Sequence, residues 1–251
     1  MSIGYRLTAS TALHKGDRNY QQDQVALLSH PHAKGCVLGI IADGMGGLSG
    51  GRMASNQAIL TAKQLFERYD PGIDDATSML QQLVQEAHVV IRLIAVSSEQ
   101  QPHSTIAAFL INPGGDCHWA HTGDSRIYHF NGSRMVKRTM DHSLVQKMVD
   151  RGEITEEEAT THPKSNILTG CAGSAEAPPI DTHLIAQMRP GDAMLACSDG
   201  VWHYFSDKEL ASVLSTLSAR DASEFLISKA HSRGRGRGDN MSLIILKFEP
   251  L

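Results

Sequence analysis

The order of strand and helix signals along this chain excludes most architectures before any motif is weighed. Strand-like stretches come in runs. YRLTAS, DQVALLS and KGCVLGIIAD open the chain, STIAAFLIN, CHWAHTG and RIYHF form a second run, DTHLIA and AMLACSD a third, and MSLIILKF closes it. Helical spacing comes in pairs between the runs. One helix is expected over 52–68, with Ala54, Ala58, Leu65 and Phe66 apolar. The next is expected over 75–96, where Met79, Leu80, Leu83, Val84, Ala87 and Ile91 recur at three and four. A second pair is expected near 207–217 and 219–232. Hairpin-joined strands with paired helices cannot be a string of βαβ units. They predict antiparallel sheets with helices packed outside, an α+β layered sandwich.

Smaller signals fill the gaps. Asn131-Gly132 marks a hairpin. A short helix is expected from Ser143 to Arg151 and an acidic one from Thr155 to Ala159, where Thr155 and Glu158 form a capping-box signature. Residues 160–180 carry turn formers and read as a long surface loop. There is no internal repeat and no linker, so 1–251 is expected to be one domain.

Composition narrows function. The formal net charge of -4 gives no electrostatic footprint for nucleic acid. No stretch approaches the roughly 18 apolar residues of a membrane span, and MSIGYRLTAS lacks a signal-peptide pattern. Cysteines 36, 117, 171 and 197 include no CxxC pair. Cys36, Cys117 and Cys197 lie in apolar runs and read as small buried hydrophobes, so a reducing, cytoplasmic setting is expected.

The aspartates carry the chemistry. Asp43 ends GIIAD, Asp124 follows WAHTG, Asp199 ends MLACSD, Asp239 precedes MSLIIL, and Asp23 opens QVALLS. Any one of them could simply punctuate a turn. Five at strand ends of one sheet system can converge on one rim, and converged carboxylates raise each other's pKa unless a cation relieves them. Carboxylate, carbonyl and water ligands suit magnesium or manganese. No HExxH is present and the thirteen histidines are scattered, which argues against zinc. The glycines after Asp43 fail both phosphate-loop templates: Arg52 and Met53 stand where a P-loop needs Lys and Ser or Thr, and Ser49 breaks GxGxxG. They read as a tight turn, in which the Gly44 carbonyl could serve beside the Asp43 carboxylate. Arg18, in GDRNYQQDQ, lies five residues before Asp23 and has the planar fork that matches phosphate. The run SRGRGRGDN at 232–240 has two readings, a solvated loop or a source of positive potential near an anionic substrate.

Taken in order, these segments resemble the metal-dependent protein serine/threonine phosphatases of type 2C, the PPM family, in their compact bacterial form. GDRNYQQDQ is similar to the family's opening motif and IIADGMGG to its Asp-Gly-x-Gly-Gly turn. STIAAFL is similar to its Thr-containing central strand, and HTGDSRIY to its Gly-Asp-Ser-Arg motif. The segment from DHSLVQKM to LTGCAG resembles its flap and the loop after it. ACSDGVW and GDNMSLIIL resemble its Ser-Asp-Gly and Asp-Asn motifs. The resemblance implies a four-layer αββα sandwich, two antiparallel sheets flanked by helix pairs, with a flap at about 143–166.

It also implies roles. Asp43, Asp199 and Asp239 would hold two manganese or magnesium ions, with Asp43 bridging and Gly44 adding its carbonyl. Asp124 would help Asp199 hold a third, weaker ion. Arg18 would bind the substrate phosphate, Asp23 would act through a metal-bound water, and Asn240 would support the Asp239 loop. The expected activity is hydrolysis of phosphoserine and phosphothreonine in proteins by an activated water, without a phosphoenzyme, opposing a bacterial Ser/Thr kinase. The protein is expected to be a monomer. Several positions depart from the family pattern. Gln21 stands where Asn is usual and Lys164 where Arg is frequent. Met45 stands where some members carry a His discussed as general acid, and Met cannot donate a proton. A hydrolase of small phosphate esters would share the same core. A degenerate, non-catalytic sensor would be expected to lack a metal carboxylate, and here every one is present.

Overall fold

The computed structural model describes residues 4–98 and 100–251. Its strands are β1 (Tyr5–His14), β2 (Gln24–Ser29), β3 (Val37–Ala42), β4 (Gly44–Met45), β5 (His103–Ser104), β6 (Ile106–Ile111), β7 (Cys117–Thr122), β8 (Arg126–Asn131), β9 (Arg134–Arg138), β10 (Asp181–Ile185), β11 (Asp192–Cys197) and β12 (Met241–Pro250). Its helices are α1 (Gly47–Arg68), α2 (Ala76–Ser98), α3 (Leu144–Asp150), α4 (Glu156–Thr161), α5 (Asp199–Trp202), α6 (Asp207–Thr216) and α7 (Ala219–Gly234).

Two five-stranded antiparallel sheets form, in the orders β1-β12-β11-β8-β9 and β10-β7-β6-β3-β2. The central strands, such as β3, β6 and β11, are apolar at consecutive positions because both faces are buried. In β3, Leu38, Ile40 and Ala42 pack with α1 and α2 residues such as Ala58, Leu80 and Leu83, while Ile41 faces the other sheet. In β11, Leu195 and Cys197 pack with Leu210 and Leu226 of the second helix pair, while Met194 and Ala196 meet Phe109 and Trp119 across the interior. Three apolar layers therefore separate four structural layers, the αββα sandwich expected from the sequence. All four cysteines are free and buried, Cys171 included.

The sequence reading misplaces three local features. Helix α1 begins at Gly47 rather than Arg52, so LSGG lies inside a helix and not in a turn. Glycine's poor helix propensity hid it. The turn itself is shorter, made by Gly46 and Gly47 at φ +115° and +82°. Gly51 is helical for a packing reason: a Cβ there would sit 2.5 Å from the Gly44 carbonyl oxygen, and one on Gly44 would sit 2.0 Å from the Gly51 oxygen. In the β8–β9 hairpin, Asn131 pairs with Arg134, so Gly132 and Ser133 make the turn rather than Asn131-Gly132. Finally, the strand AMLACSD is shorter than read: β11 stops at Cys197, and Asp199 opens the short helix α5. The capping box on α4 forms as read, with Thr155 and Glu158 satisfying each other's backbone groups.

Candidate active site

Strand direction brings three of the aspartates to an edge of one sheet and two to an edge of the other. β3 and β7 both run antiparallel to β6, and β2 runs antiparallel to β3. The end of β3 (Asp43), the end of β7 (Asp124) and the start of β2 (Asp23) therefore share one edge of their sheet. In the other sheet β11 and β12 are antiparallel, so Asp199 after β11 and Asp239 before β12 also share an edge. The two edges face each other. Ser198, at the end of β11, donates from Oγ to Asp23 Oδ2 at 2.7 Å and accepts from Ser242 N of β12 at 3.0 Å. That serine ties the sheets together at the rim.

The electrostatics follow from the crowding. Burial first, then the charges of Asp23, Asp199, Asp124 and Asp239, raise the Asp43 carboxyl well above its ordinary value. Asp199 is raised well above its ordinary value by burial and then by Asp124, Asp239 and Asp23. Burial pushes Asp124 up to about 7, reinforced by Asp141 and opposed by Arg126. Asp23 is fully buried and pushed up to about 6, with the Ser198 hydroxyl pulling it back down. Its Oδ1 is buried with no hydrogen-bond partner. Such a set is unfavourable unless it is protonated or faces a cation.

Hard carboxylate donors with an orphaned oxygen fit a magnesium- or manganese-type ion. Among the described residues no three of these carboxylates bring oxygens within 4.8 Å of one another. One reason is visible at Asp239. Its Oδ2 accepts from Arg18 at 2.6 Å and its Oδ1 accepts from Asn240 N at 2.8 Å. Arg18 thus reaches the aspartate rim as the sequence suggested, and holds one of the carboxylates.

Asn240 does more than the sequence reading gave it. Buried, it donates from Nδ2 to the carbonyls of Lys15 and Tyr20 at 2.8 and 2.9 Å and accepts from Gln22 N at 2.7 Å. It fastens the Arg18 loop to the Asp239 loop. Arg126 was given no role at all. It makes a bidentate pair with Asp141, both bonds 2.8 Å, and stacks 3.5 Å above the Trp202 ring, whose Nε1 donates to the Asp124 carbonyl. The Ser-Arg of HTGDSRIY was the available signal, and it buttresses Asp124 from behind. Gly44 is dictated by backbone packing against Gly51, not by space for an ion. Met45 lies directly across the β4–β5 ribbon from His103.

A cavity of about 170 Å³ opens on this rim, bordered by Asp124, Asp199 and Asp239, by Ser165 and Asn166 at the end of the flap, by His203 and Tyr204, and by Arg237. The histidines are less scattered than the sequence suggested. His121, His142 and Asp181 place ligand atoms within 4.8 Å at the base of the flap. The two rings stack at 4.7 Å and 13°, and Gly123 N donates to His142 Nδ1. Near-parallel rings do not aim their lone pairs at a common point, so this is a packed pair and not a chelate.

Acidic strand ends converging beside an arginine on an αββα sandwich supply the donor types that metal-assisted phosphate hydrolysis uses. Comparison with known proteins makes the assignment specific. The protein phosphatase 2C family model matches residues 11–228, and the chain belongs to that family. A relative is the serine/threonine phosphatase stp of Listeria innocua, 28% identical over 234 residues that span 92% of this chain and 91% of the relative. Among solved structures, the serine/threonine phosphatase Stp1 of Staphylococcus aureus superposes with a TM-score of 0.87 at 26% identity, covering 99% of this chain and 98% of that one. The catalytic domain of the serine/threonine phosphatase PstP, solved with two manganese ions, superposes with a TM-score of 0.81 at 26% identity, covering 98% and 100%.

Proposed function

We propose that this protein hydrolyses phosphoserine and phosphothreonine in other proteins, at a divalent-metal centre built on the five-aspartate rim. The observation that carries the reading is the convergence of Asp23, Asp43 and Asp124 from one sheet with Asp199 and Asp239 from the other, beside Arg18. Asp43, Asp199, Asp239 and the Gly44 carbonyl would hold two ions, and Asp124 with Asp199 a weaker third. Manganese accompanies the PstP catalytic domain, and the donor set suits manganese or magnesium alike. When bound, such ions supply Lewis-acid charge and a water acidic enough to hydrolyse a phosphate monoester near neutral pH.

The chain's own residues do the rest. Asp43 and Asp199 ionise fully only when a cation offsets their neighbours. Arg18, paired with Asp239 here, would release that carboxylate to a bound cation and keep its guanidinium for a bidentate contact with phosphate. Asp23 Oδ1, buried without a partner, would accept a hydrogen bond from water at the centre. Met45 cannot donate a proton, so the leaving-group proton comes from elsewhere. The phosphorylated substrates would be made by a Ser/Thr kinase. No helix among the described residues is long and apolar enough to cross a membrane, and the four free thiols suit a reducing cytoplasm. The protein is proposed to act as a monomer.

The test is Asp43→Asn. It is expected to abolish manganese-dependent hydrolysis of a phosphothreonine peptide while the circular dichroism spectrum stays unchanged. Full activity in the variant, or undiminished wild-type activity in EDTA, overturns the reading.

A further inference from the structure

The run SRGRGRGDN places three arginines next to the site, and the structure separates their jobs. Arg233 is bound inward, donating to Glu209 at 2.6 Å and to the Tyr204 carbonyl, with its guanidinium over the Phe205 ring. Arg235 caps α7 in the left-handed conformation at φ +49° and is exposed. Arg237 borders the 170 Å³ cavity together with Asp124, Asp199 and Asp239. Its guanidinium makes no hydrogen bond or ion pair with any described residue.

Its backbone, in contrast, is fixed. Asp17 N donates to the Gly238 carbonyl at 3.0 Å, and Gly238 N donates back to Asp17 Oδ2 at 2.7 Å. Arg237 N donates to the Gly234 carbonyl at 2.9 Å, closing the turn. The two loops press together so closely that a Cβ on Gly16 would sit 2.0 Å from the Asp239 carbonyl oxygen. Locking residue 17 to residue 238 brings together the loops that carry Arg18 and Arg237. Arg18 holds Asp239 at 2.6 Å, and Arg237 is uncommitted.

We propose that Arg237 is a second phosphate-binding arginine, which meets the substrate's phosphate group from the cavity side while Arg18 meets it from the other loop. This rests on the phosphatase reading above. An unpaired guanidinium held at a cavity mouth, beside carboxylates that a cation centre would occupy, is free to meet an incoming oxyanion. Its planar fork suits a phosphate dianion. Because the contact forms with substrate and persists during hydrolysis, it acts on binding more than on turnover.

The experiment uses the manganese-loaded protein with p-nitrophenyl phosphate and with phosphothreonine peptides of neutral or acidic flanks. Inorganic phosphate binding is measured by calorimetry as a readout independent of turnover. Arg237→Ala is expected to raise KM on every substrate, and the phosphate dissociation constant, by about tenfold with kcat within about twofold of wild type. Arg237→Lys should recover part of the loss, and Arg235→Ala should match wild type. Unchanged KM and phosphate affinity in Arg237→Ala overturn the proposal. So does a loss confined to peptides with acidic flanks, which would make Arg237 a reader of neighbouring side chains. Wild-type protein that binds phosphate through Arg237 yet hydrolyses none of these substrates would instead refute the phosphatase reading.

Discussion

Asp124→Asn should stabilise the metal-free protein, and the gain should grow with pH. The residue is 7% exposed and lies against Asp141, whose carboxylate is already paired with Arg126. Burial lifts its pKa from the ordinary 3.8 to about 7. Between those values the folded chain keeps a proton that the unfolded chain has released. Stability therefore falls as pH rises through this window, and the full cost is present above about pH 7. At about 1.36 kcal/mol per pKa unit the ceiling is about 4 kcal/mol. Asp43 and Asp199 share the cost, so a single substitution recovers about 2–3 kcal/mol. Asparagine mimics the protonated acid, so the variant should nearly match wild type at pH 4.5. At pH 8 it should melt about 6 °C higher, given ~2–4 °C per kcal/mol for a protein of this size. The assay is thermal melting in EDTA from pH 4.5 to 8. Adding manganese should reverse the order at pH 8, because wild type then gains binding energy that the variant has partly lost. A pH-independent difference, or a less stable variant at pH 8 in EDTA, would refute the argument.

Two further substitutions probe how the rim is assembled. Gly51→Ala replaces a helical glycine, a change that ordinarily stabilises by up to about 1 kcal/mol. Here the new methyl would meet the Gly44 oxygen and Gln22 Nε2 at 2.5 Å, so the melting temperature should fall and manganese affinity weaken together. A stabilised variant with wild-type metal affinity would remove the packing account of that glycine. Asn240→Asp keeps the acceptor for Gln22 N but turns two donors into an oxygen facing the Lys15 and Tyr20 carbonyls. It should cost about 3 kcal/mol in chemical denaturation and raise KM by unseating Arg18. Unaltered stability would show that the two loops are held by other contacts.

The layer order and the five aspartates were legible because both depend on local pattern. Strands buried on both faces read as continuous apolar runs, and an acid at the end of such a run stands out against it. The helical glycines were illegible for the converse reason. Gly50 and Gly51 lower local helix propensity, and what keeps α1 intact there is contact with Gly44, which the pattern around the helix does not reveal. Arg126 sits in a motif, HTGDSRIY, but its role depends on partners outside it. Its bidentate partner Asp141 lies fifteen residues away, past a hairpin.

The rim's remaining logic is wholly non-local. Asp17 bonds to Gly238, Arg18 to Asp239, and Asn240 to Lys15, Tyr20 and Gln22, all across more than 200 residues. These contacts clamp the chain's first loop onto its last, at the mouth where β1 and β12 pair in register from Tyr5 with Pro250 to His14 with Met241. Ten residue pairs fix the geometry on one side of the clamp, so the two loops have little freedom to slide. That explains how the exposed Arg237 can be held accurately at a site: the β1–β12 ladder and the Asp17–Gly238 bridge fix its backbone without using the guanidinium. A charged side chain held by its backbone, with its head free, is preorganised for an anion at little further entropic cost.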